Sequence, residues 1–374
     1  MVLRRLPGIF GVLLALAMSG TGSPASAADR YDALVVEGRH LNAESSRSAK
    51  SILELHLKLS VGTVRIEELD RTDFTGVKVM YFPGLQYLEV SLPQGAAENI
   101  RKAVAGGMGY IGTCGGSLIA AEATGSPRGP AGRWPMIGLF PGREVFAGGT
   151  GMRPYHFETT HPIVAFSSVA REIAPVLSMD YAGGPGNYIP GPDALPGLVH
   201  WVVAWQSDGG GDRTDRPAIV ACLFGGGRVF LSTAHPERPR TPEVHRVIKL
   251  AAEWCVGKTD REKNRPPVAV MSVPERGAVA EELRFSAAGS DDPEGFPIGF
   301  IWNFADGSPL VYTPQATHAY AKEGTYTVTL IVTDGKDQTS GTRQVRVAGE
   351  KRTVQEAGAS ATQPADSRPP TDKP

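Results

Sequence analysis

Two short clusters carry residue types that can do acyl chemistry together. In GTCGG a lone cysteine, Cys114, stands between Gly112 and the Gly115–Gly116 pair at the end of an apolar run; in STAHPERP, His235 and Glu237 are separated by one proline after another apolar run. A thiolate can attack an acyl carbon, an imidazole can take the thiol proton, and a carboxylate can hold the imidazole in the useful tautomer. Small neighbours suit a cysteine on a tight strand-to-helix turn, because they let the backbone fold sharply and a substrate approach. A helix opening at the thiol favours the thiolate, and the Gly115 N–H would aim at a developing oxyanion. His235 and Glu237 at i and i+2 point the same way from extended backbone, with Pro236 stiffening the spacing. The competing reading makes Cys114 a packing residue at a tight junction and the second cluster a polar turn.

The other candidate groups read more plainly. Cys222 lies in the strand-like AIVACLF and Cys255 on the apolar face of a late helix, so both suit the core; a Cys222–Cys255 disulfide stays open, since sequence does not give connectivity. His156 and His161 are five residues apart and lack a cysteine or paired acid to complete a metal set. Residues 290–295, SDDPEG, read as a turn, with calcium the alternative that clustered carboxylates leave open. No metal and no cofactor is expected, and no GxxxxGK[ST] phosphate loop is present.

These clusters need a scaffold, and the chain is long enough for one. It has 374 residues, net charge −1 and 41% hydrophobic residues, which suits about two globular domains and gives no positive field for nucleic acid. Arg4 and Arg5 precede the short apolar IFGVLLALAM and then Ala25-Ser26-Ala27, the pattern of a cleaved signal peptide over residues 1–28, with a retained anchor as the alternative. Export to a periplasmic or extracellular setting follows, with no stable membrane span after cleavage. Three cysteines are too few for a disulfide framework, so burial must stabilise the core.

From residue 29 to 257 strands and helices alternate. Strands are expected at 33–38, 63–69, 77–84 and before Cys114, and helices at 45–59, 94–107 and after Cys114. Alternation of this kind implies a parallel sheet covered by helices, with sites at the carboxyl ends of the strands. GLVHWVVAWQ, PAIVACLF and RVFLSTA add three strand-like runs, the last two joined as a hairpin, and Thr241-Pro242 opens a helix to about Val256. Residues 258–265 are a polar linker, followed by Pro266-Pro267. Over 266–348 the pattern changes to short alternating strands, as an antiparallel sandwich requires, and 349–374 is a proline-rich tail expected to be disordered.

Pro83-Gly84 after a strand, the GxCxG elbow and the distal His-Pro-Glu together resemble the class I glutamine amidotransferase fold, in its biotin-protein ligase N-terminal-like branch, over roughly Tyr31 to Gly257. The resemblance implies a flavodoxin-like α/β sheet, nucleophile Cys114, base His235, orienting Glu237 and an oxyanion hole from Gly84 and Gly115. Leu85 stands where many relatives carry a second glycine, and YAGGPGNY (181–188) resembles a glycine-rich pocket segment of the branch. IWNFADG, THAY and EGTYTVTLIVTDG are similar to polycystic kidney disease (PKD) repeats, with Asn303 and Ala305 at places usually held by Asp and Gly. That likeness implies an Ig-like sandwich anchored by Trp302, Tyr320 and Tyr326, acting as a spacer or a binder of polysaccharide or envelope protein. An exported chain lacks a synthetase to receive ammonia, so the expectation is hydrolysis of a small amide or a peptide. The alternative is a non-catalytic ligand-binding or scaffold protein on the same fold.

Overall fold

Strand β1 (Ala33–Glu37) opens the first sheet with a buried Ala-Leu-Val-Val run whose side chains alternate between two cores. Helix α1 (Ala43–Leu57) begins at Asn42, whose side chain accepts a hydrogen bond from the Ser45 N–H at 2.9 Å, and stops at Lys58 in the left-handed region. Strands β2 (Val61–Arg65), β3 (Val79–Phe82) and β4 (Gly109–Thr113) follow, with helix α2 (Ala96–Ala105) between the last two. The computed structural model describes residues 31–86, 90–124, 136–146, 149–183, 185–190, 202–206, 216–238, 242–259 and 264–349. The expected signal peptide, Thr241, residues 260–263 of the linker and the tail beyond Gly349 lie outside the described residues.

After β4 comes a single helical turn, α3 (Gly115–Leu118), much shorter than the sequence pattern suggests, because the chain turns into β5 (Ala121–Thr124) at once. Strands β6 (Phe140–Phe146), β7 (Gly151–Phe157), β8 (Val176–Tyr181), β9 (Pro185–Pro190) and β10 (Val202–Gln206) continue the region, with α4 (Pro162–Ala165) before β8. Strands β11 (Arg216–Phe224) and β12 (Gly227–Ser232) form the expected hairpin, and α5 (Pro242–Cys255) closes the region.

The nine-stranded sheet has the order β2-β1-β3-β4-β12-β11-β10-β7-β8. From β2 to β12 all pairs are parallel; from β12 to β8 all are antiparallel. The sheet is therefore mixed. The parallel pairing expected of the alternating region ends at β12, where the expected hairpin with β11 returns the chain antiparallel through a two-residue turn. Gly227 makes this turn close against α2, where a Cβ would stand 2.1 Å from the Val104 carbonyl oxygen. A further small sheet, β5-β6-β9, lies beside α3. Val35, Tyr81, Ile111 and Phe230 face α1 and α5, whereas Val36, Met80, Tyr110 and Val229 face α2, so successive residues of each strand fill opposite layers.

Residues 264–349 form two packed sheets, β13-β18-β17-β15 and β14-β16, where β13 is Arg276–Ala278, β14 Leu283–Ser286, β15 Gly299–Asn303, β16 Gln315–His318, β17 Gly324–Thr333 and β18 Gln338–Ala348. Trp302 and Tyr320 are fully buried between them, and Tyr326, partly buried, stacks on Tyr320 with ring centroids 4.0 Å apart. The sandwich packs on the mixed-sheet region through Phe166 against Phe296 and Phe224 against Tyr312, with ring centroids at 5.6 and 4.8 Å. Asn264, read as linker, instead donates to Asp334 and Asp337 of the sandwich. All three cysteines are free and buried, so Cys222 and Cys255 form no disulfide.

Candidate active site

Parallel pairing brings the ends of β3, β4 and β12 to one edge. Phe82 is in register with Gly112, and Thr113 with Ser232, so the residues just beyond each strand (Gly84, Cys114 and His235) leave the sheet side by side. The Cys114 N–H continues the ladder by donating to the Ser232 carbonyl at 2.8 Å. Its own backbone then turns to φ 49, ψ −115, uncommon for a residue with a Cβ. Such a conformation costs about 1–3 kcal/mol and persists only where the surroundings impose it. They do so here: Ser117 Oγ donates to the Cys114 carbonyl at 2.6 Å, and the Ser117 and Leu118 N–H groups donate to the same oxygen at 3.1 Å.

Glycines permit the approach. A Cβ on Gly116 would stand 2.1 Å from the Phe82 carbonyl oxygen, so only glycine lets α3 abut the end of β3. A Cβ on Gly84 would stand 2.5 Å from His235 Cε1 and 3.3 Å from Cys114 Cβ, which places the imidazole, the thiol-bearing carbon and the turn after β3 in mutual contact. That turn is pinned by Asn42 N–H donating to the Gly84 carbonyl at 3.0 Å and Gln86 N–H donating to the His40 carbonyl at 2.7 Å. Gly115, opening α3, has no partner for its N–H within the helix and packs against Leu85, where its Cβ would lie 2.1 Å from Leu85 Cγ.

His235 is held on both sides. Its N–H donates to the Asp180 carbonyl of β8 at 2.9 Å, and its Nδ1 meets Glu237 Oε1 at 2.8 Å. Ser48 Oγ of α1 donates to the Glu237 carbonyl. The ring and the carboxylate are almost wholly buried, so water does not weaken their attraction. Burial alone would pull the His235 pKa down, but the neighbouring Cys114 and Glu237 outweigh it and push it up to about 10. Burial likewise favours a neutral Glu237, yet the His235 charge and hydrogen bond hold its carboxyl below the usual range. Both directions describe one imidazolium–carboxylate pair. With Nδ1 taken by Glu237, Nε2 is the nitrogen left for the thiol side, and it completes no hydrogen bond within the protein.

Several residues around this edge were not singled out from sequence. Tyr81 of β3 exchanges a hydrogen bond with Thr113 at 2.8 Å and lies next to Glu237, whose charge adds to burial in raising the phenol's pKa. Glu144 of β6 is fully buried, as is Tyr188 of β9, which faces it across the strand pair. The available signal is that Glu144 falls four residues after Phe140 in the same strand, an acid where the period-two pattern calls for a buried apolar residue. Tyr188 ends the glycine-rich YAGGPGNY segment, which carries no role legible from its residues alone.

Remaining candidates are elsewhere. Burial raises the thiol pKa of both Cys222 and Cys255 well above the ordinary value, as expected of core cysteines. His161 caps α4, its Nδ1 accepting from the Ile163 N–H at 3.3 Å. Asp292 accepts from the Glu294 and Phe296 N–H groups, each at 2.9 Å, making SDDPEG a turn. Among the described residues there is no cluster of metal-ligating side chains. A cavity of about 850 Å³, lined by Gly107, Met108, Gly226, Arg228, Cys255 and Gly335, lies at the opposite edge of the sheet from Cys114 and touches none of Cys114, His235 and Glu237. No described helix is long and apolar enough to cross a membrane.

Comparison with known proteins identifies the sandwich. The PKD domain family profile matches residues 264–348, two residues earlier than the start expected from sequence, and this part of the chain is a PKD domain with an Ig-like β-sandwich. It is 40% identical over 77 residues to a microbial collagenase of Vibrio alginolyticus, covering 21% of this chain and 9% of that protein. To collagenase ColA of Bacillus cereus it is 34% identical over 82 residues, covering 22% of this chain and 8% of that protein. The match thus spans less than a tenth of these curated relatives. Among solved structures, the PKD1 domain of Vibrio anguillarum Epp is 24% identical, with 24% of this chain and 100% of that chain covered and a TM-score of 0.21. The cytoplasmic protein STM1381 of Salmonella typhimurium is 12% identical, with 61% of this chain and 99% of that chain covered and a TM-score of 0.39.

Proposed function

We propose that the chain is an exported cysteine-dependent hydrolase of an amide or related acyl bond, with Cys114, His235 and Glu237 as its catalytic residues and the PKD domain as a binding or spacing module. The observation that carries the reading is the buried His235–Glu237 pair set against a cysteine held in a strained backbone turn at the same sheet edge. The strand order β2-β1-β3-β4-β12 in the parallel half fits a flavodoxin-like, class I amidotransferase-like fold, in which such edges hold sites.

In this mechanism the Cys114 sulfur attacks the acyl carbon while the C–N bond breaks, and the His235 imidazolium gives its Nε2 proton to the departing amine. Neutral His235 then takes a proton from water, the hydroxide adds to the thioester, the C–S bond breaks and the acid leaves, with the thiolate and the imidazolium restored. Glu237 accepts the Nδ1–H throughout and keeps Nε2 for the transferred proton. Gly84 and Gly115 N–H groups are the proposed donors to the oxyanion, a role worth about 3 kcal/mol per donor in comparable sites. The PKD domain is the part shared with collagenases, and a polymer or envelope-protein contact is proposed for it.

The reading is tested by incubating the full chain with a panel of small primary amides, acyl amines and short peptides and measuring amine or ammonia release. Turnover that is lost in Cys114→Ser supports it. Binding of such compounds with no turnover at any pH from 6 to 10, identical in Cys114→Ser, favours the ligand-binding alternative.

A further inference from the structure

Glu144 is a buried acid with no charged partner. It is 0% exposed, its carboxyl oxygens complete no hydrogen bond of full geometry, and the Ser117 and Tyr188 hydroxyls lie within looser hydrogen-bonding reach. Buried polar groups without partners are rare in folded proteins, because each forfeits its hydration. The hydroxyls of Tyr188 and Tyr155, also buried, share that condition, as does Nε2 of His235. These atoms are not scattered. Glu144 pairs with Tyr188 across β6 and β9, and β9 packs on α3, the turn that begins at Cys114. Burial raises the Glu144 pKa well above the ordinary carboxyl value; Ser117 and Tyr188 beside it pull the other way, and a charge on Cys114 raises it further. Tyr155 lies near enough to Cys114 for the same charge to act on it.

None of the groups acting on Glu144 is a cation. His235, the cation of the site, is already matched by Glu237. Ionisation of Glu144 is therefore uncompensated until something positive arrives. A primary ammonium supplies one charge and three N–H donors, enough for both carboxyl oxygens and the Tyr188 hydroxyl, and its charge stabilises the ionised carboxylate that burial opposes.

We propose that Glu144, with Tyr188, is a specificity site that receives a primary ammonium group on the acyl substrate, so that the preferred substrates of the Cys114 site are amino-bearing amides or esters. This rests on the reading of Cys114 as an accessible nucleophile, and the test separates the two. Cys114 in the full chain is treated with 2-aminoethyl methanethiosulfonate, which is cationic, and with methyl methanethiosulfonate, which is neutral; modification at Cys114 is followed by peptide mass spectrometry, and each rate is divided by that of free cysteine. The normalised cation-to-neutral ratio is expected to exceed unity by about tenfold, the scale of a hydrogen bond to a charged group. In Glu144→Gln it falls to about unity. Glutamine matches the neutral acid in shape; Tyr188→Phe, which keeps the carboxyl, is expected to lower the ratio only in part, and it provides a second readout if Glu144→Gln does not fold. A purely structural carboxyl would leave the ratio unmoved. Reaction with the neutral reagent but no cation preference, or a preference retained in Glu144→Gln, overturns the specificity site alone. Failure of Cys114 to react with either reagent overturns both readings.

Discussion

Replacing Glu237 with glutamine keeps an acceptor for His235 Nδ1–H and removes only the charge. A histidine at pKa about 10 in the folded protein and about 6.5 when unfolded corresponds, at pH 7, to about 4 kcal/mol favouring the folded imidazolium, at 1.36 kcal/mol per pKa unit. Cys114 and Glu237 both supply that stabilisation, so Glu237→Gln removes only part of it, about 2 kcal/mol on the scale of a hydrogen bond to a charged group. The sign follows from the two directions. The raised His235 contributes fully below pH about 6.5, and that contribution is lost as pH climbs through about 10. The lowered Glu237 contributes above its ordinary value of 4.5 and loses its contribution as pH falls below that value. Urea unfolding of wild type and Glu237→Gln should therefore show a difference of about 2 kcal/mol on a plateau between pH about 5 and 8, shrinking at pH 10. A difference below about 0.5 kcal/mol at pH 7, or one equal at pH 7 and pH 10, would refute the ion-pair reasoning.

Gly84→Ala puts a Cβ 2.5 Å from His235 Cε1, so the ring or the turn must move; alkylation of Cys114 should slow by about a hundredfold while the melting temperature stays within a few degrees. An unchanged alkylation rate would mean that the approach of Gly84 to His235 does not matter. Proteolytic nicking between residues 258 and 265 should leave two pieces that co-elute on gel filtration, because Phe166–Phe296 and Phe224–Tyr312 pack across the junction, and separate elution of the pieces would contradict that packing. Trp302→Ala should destabilise the sandwich by about 3–5 kcal/mol in urea unfolding, and a loss under 1 kcal/mol would show that its burial is not well packed.

The sequence made the edge legible because strand ends announce themselves: Pro83-Gly84, Gly112 to Gly116 and the His-Pro-Glu cluster each follow a buried run, and parallel register does the rest. Trp302 and Tyr320 were equally plain, since alternation in TYTVTLIVT requires a two-faced strand and large rings need a core. The antiparallel half of the mixed sheet was harder. The expected β11–β12 hairpin already ruled out parallel pairing there, but β7, β8 and β10 are separated by irregular chain, and their neighbours depend on tertiary packing rather than on local pattern. Glu144 and Tyr188 are hidden for the same reason: they reach α3, the turn that begins at Cys114, through a small separate sheet, and nothing in their spacing along the chain relates them to it. The short α3 was overestimated because SLIAAEA has helical spacing, although its last residues pair with β6 instead.

The central claim is that Cys114 is a nucleophile activated by His235. Site-resolved iodoacetamide labelling of the folded protein at neutral pH measures it directly. Cys114 should be alkylated at least about tenfold faster than Cys222 and Cys255, whose thiols burial holds protonated, and His235→Asn should erase that advantage. Equal labelling of all three thiols, or a Cys114 rate indifferent to His235→Asn, would contradict the account and return the cysteine to the core.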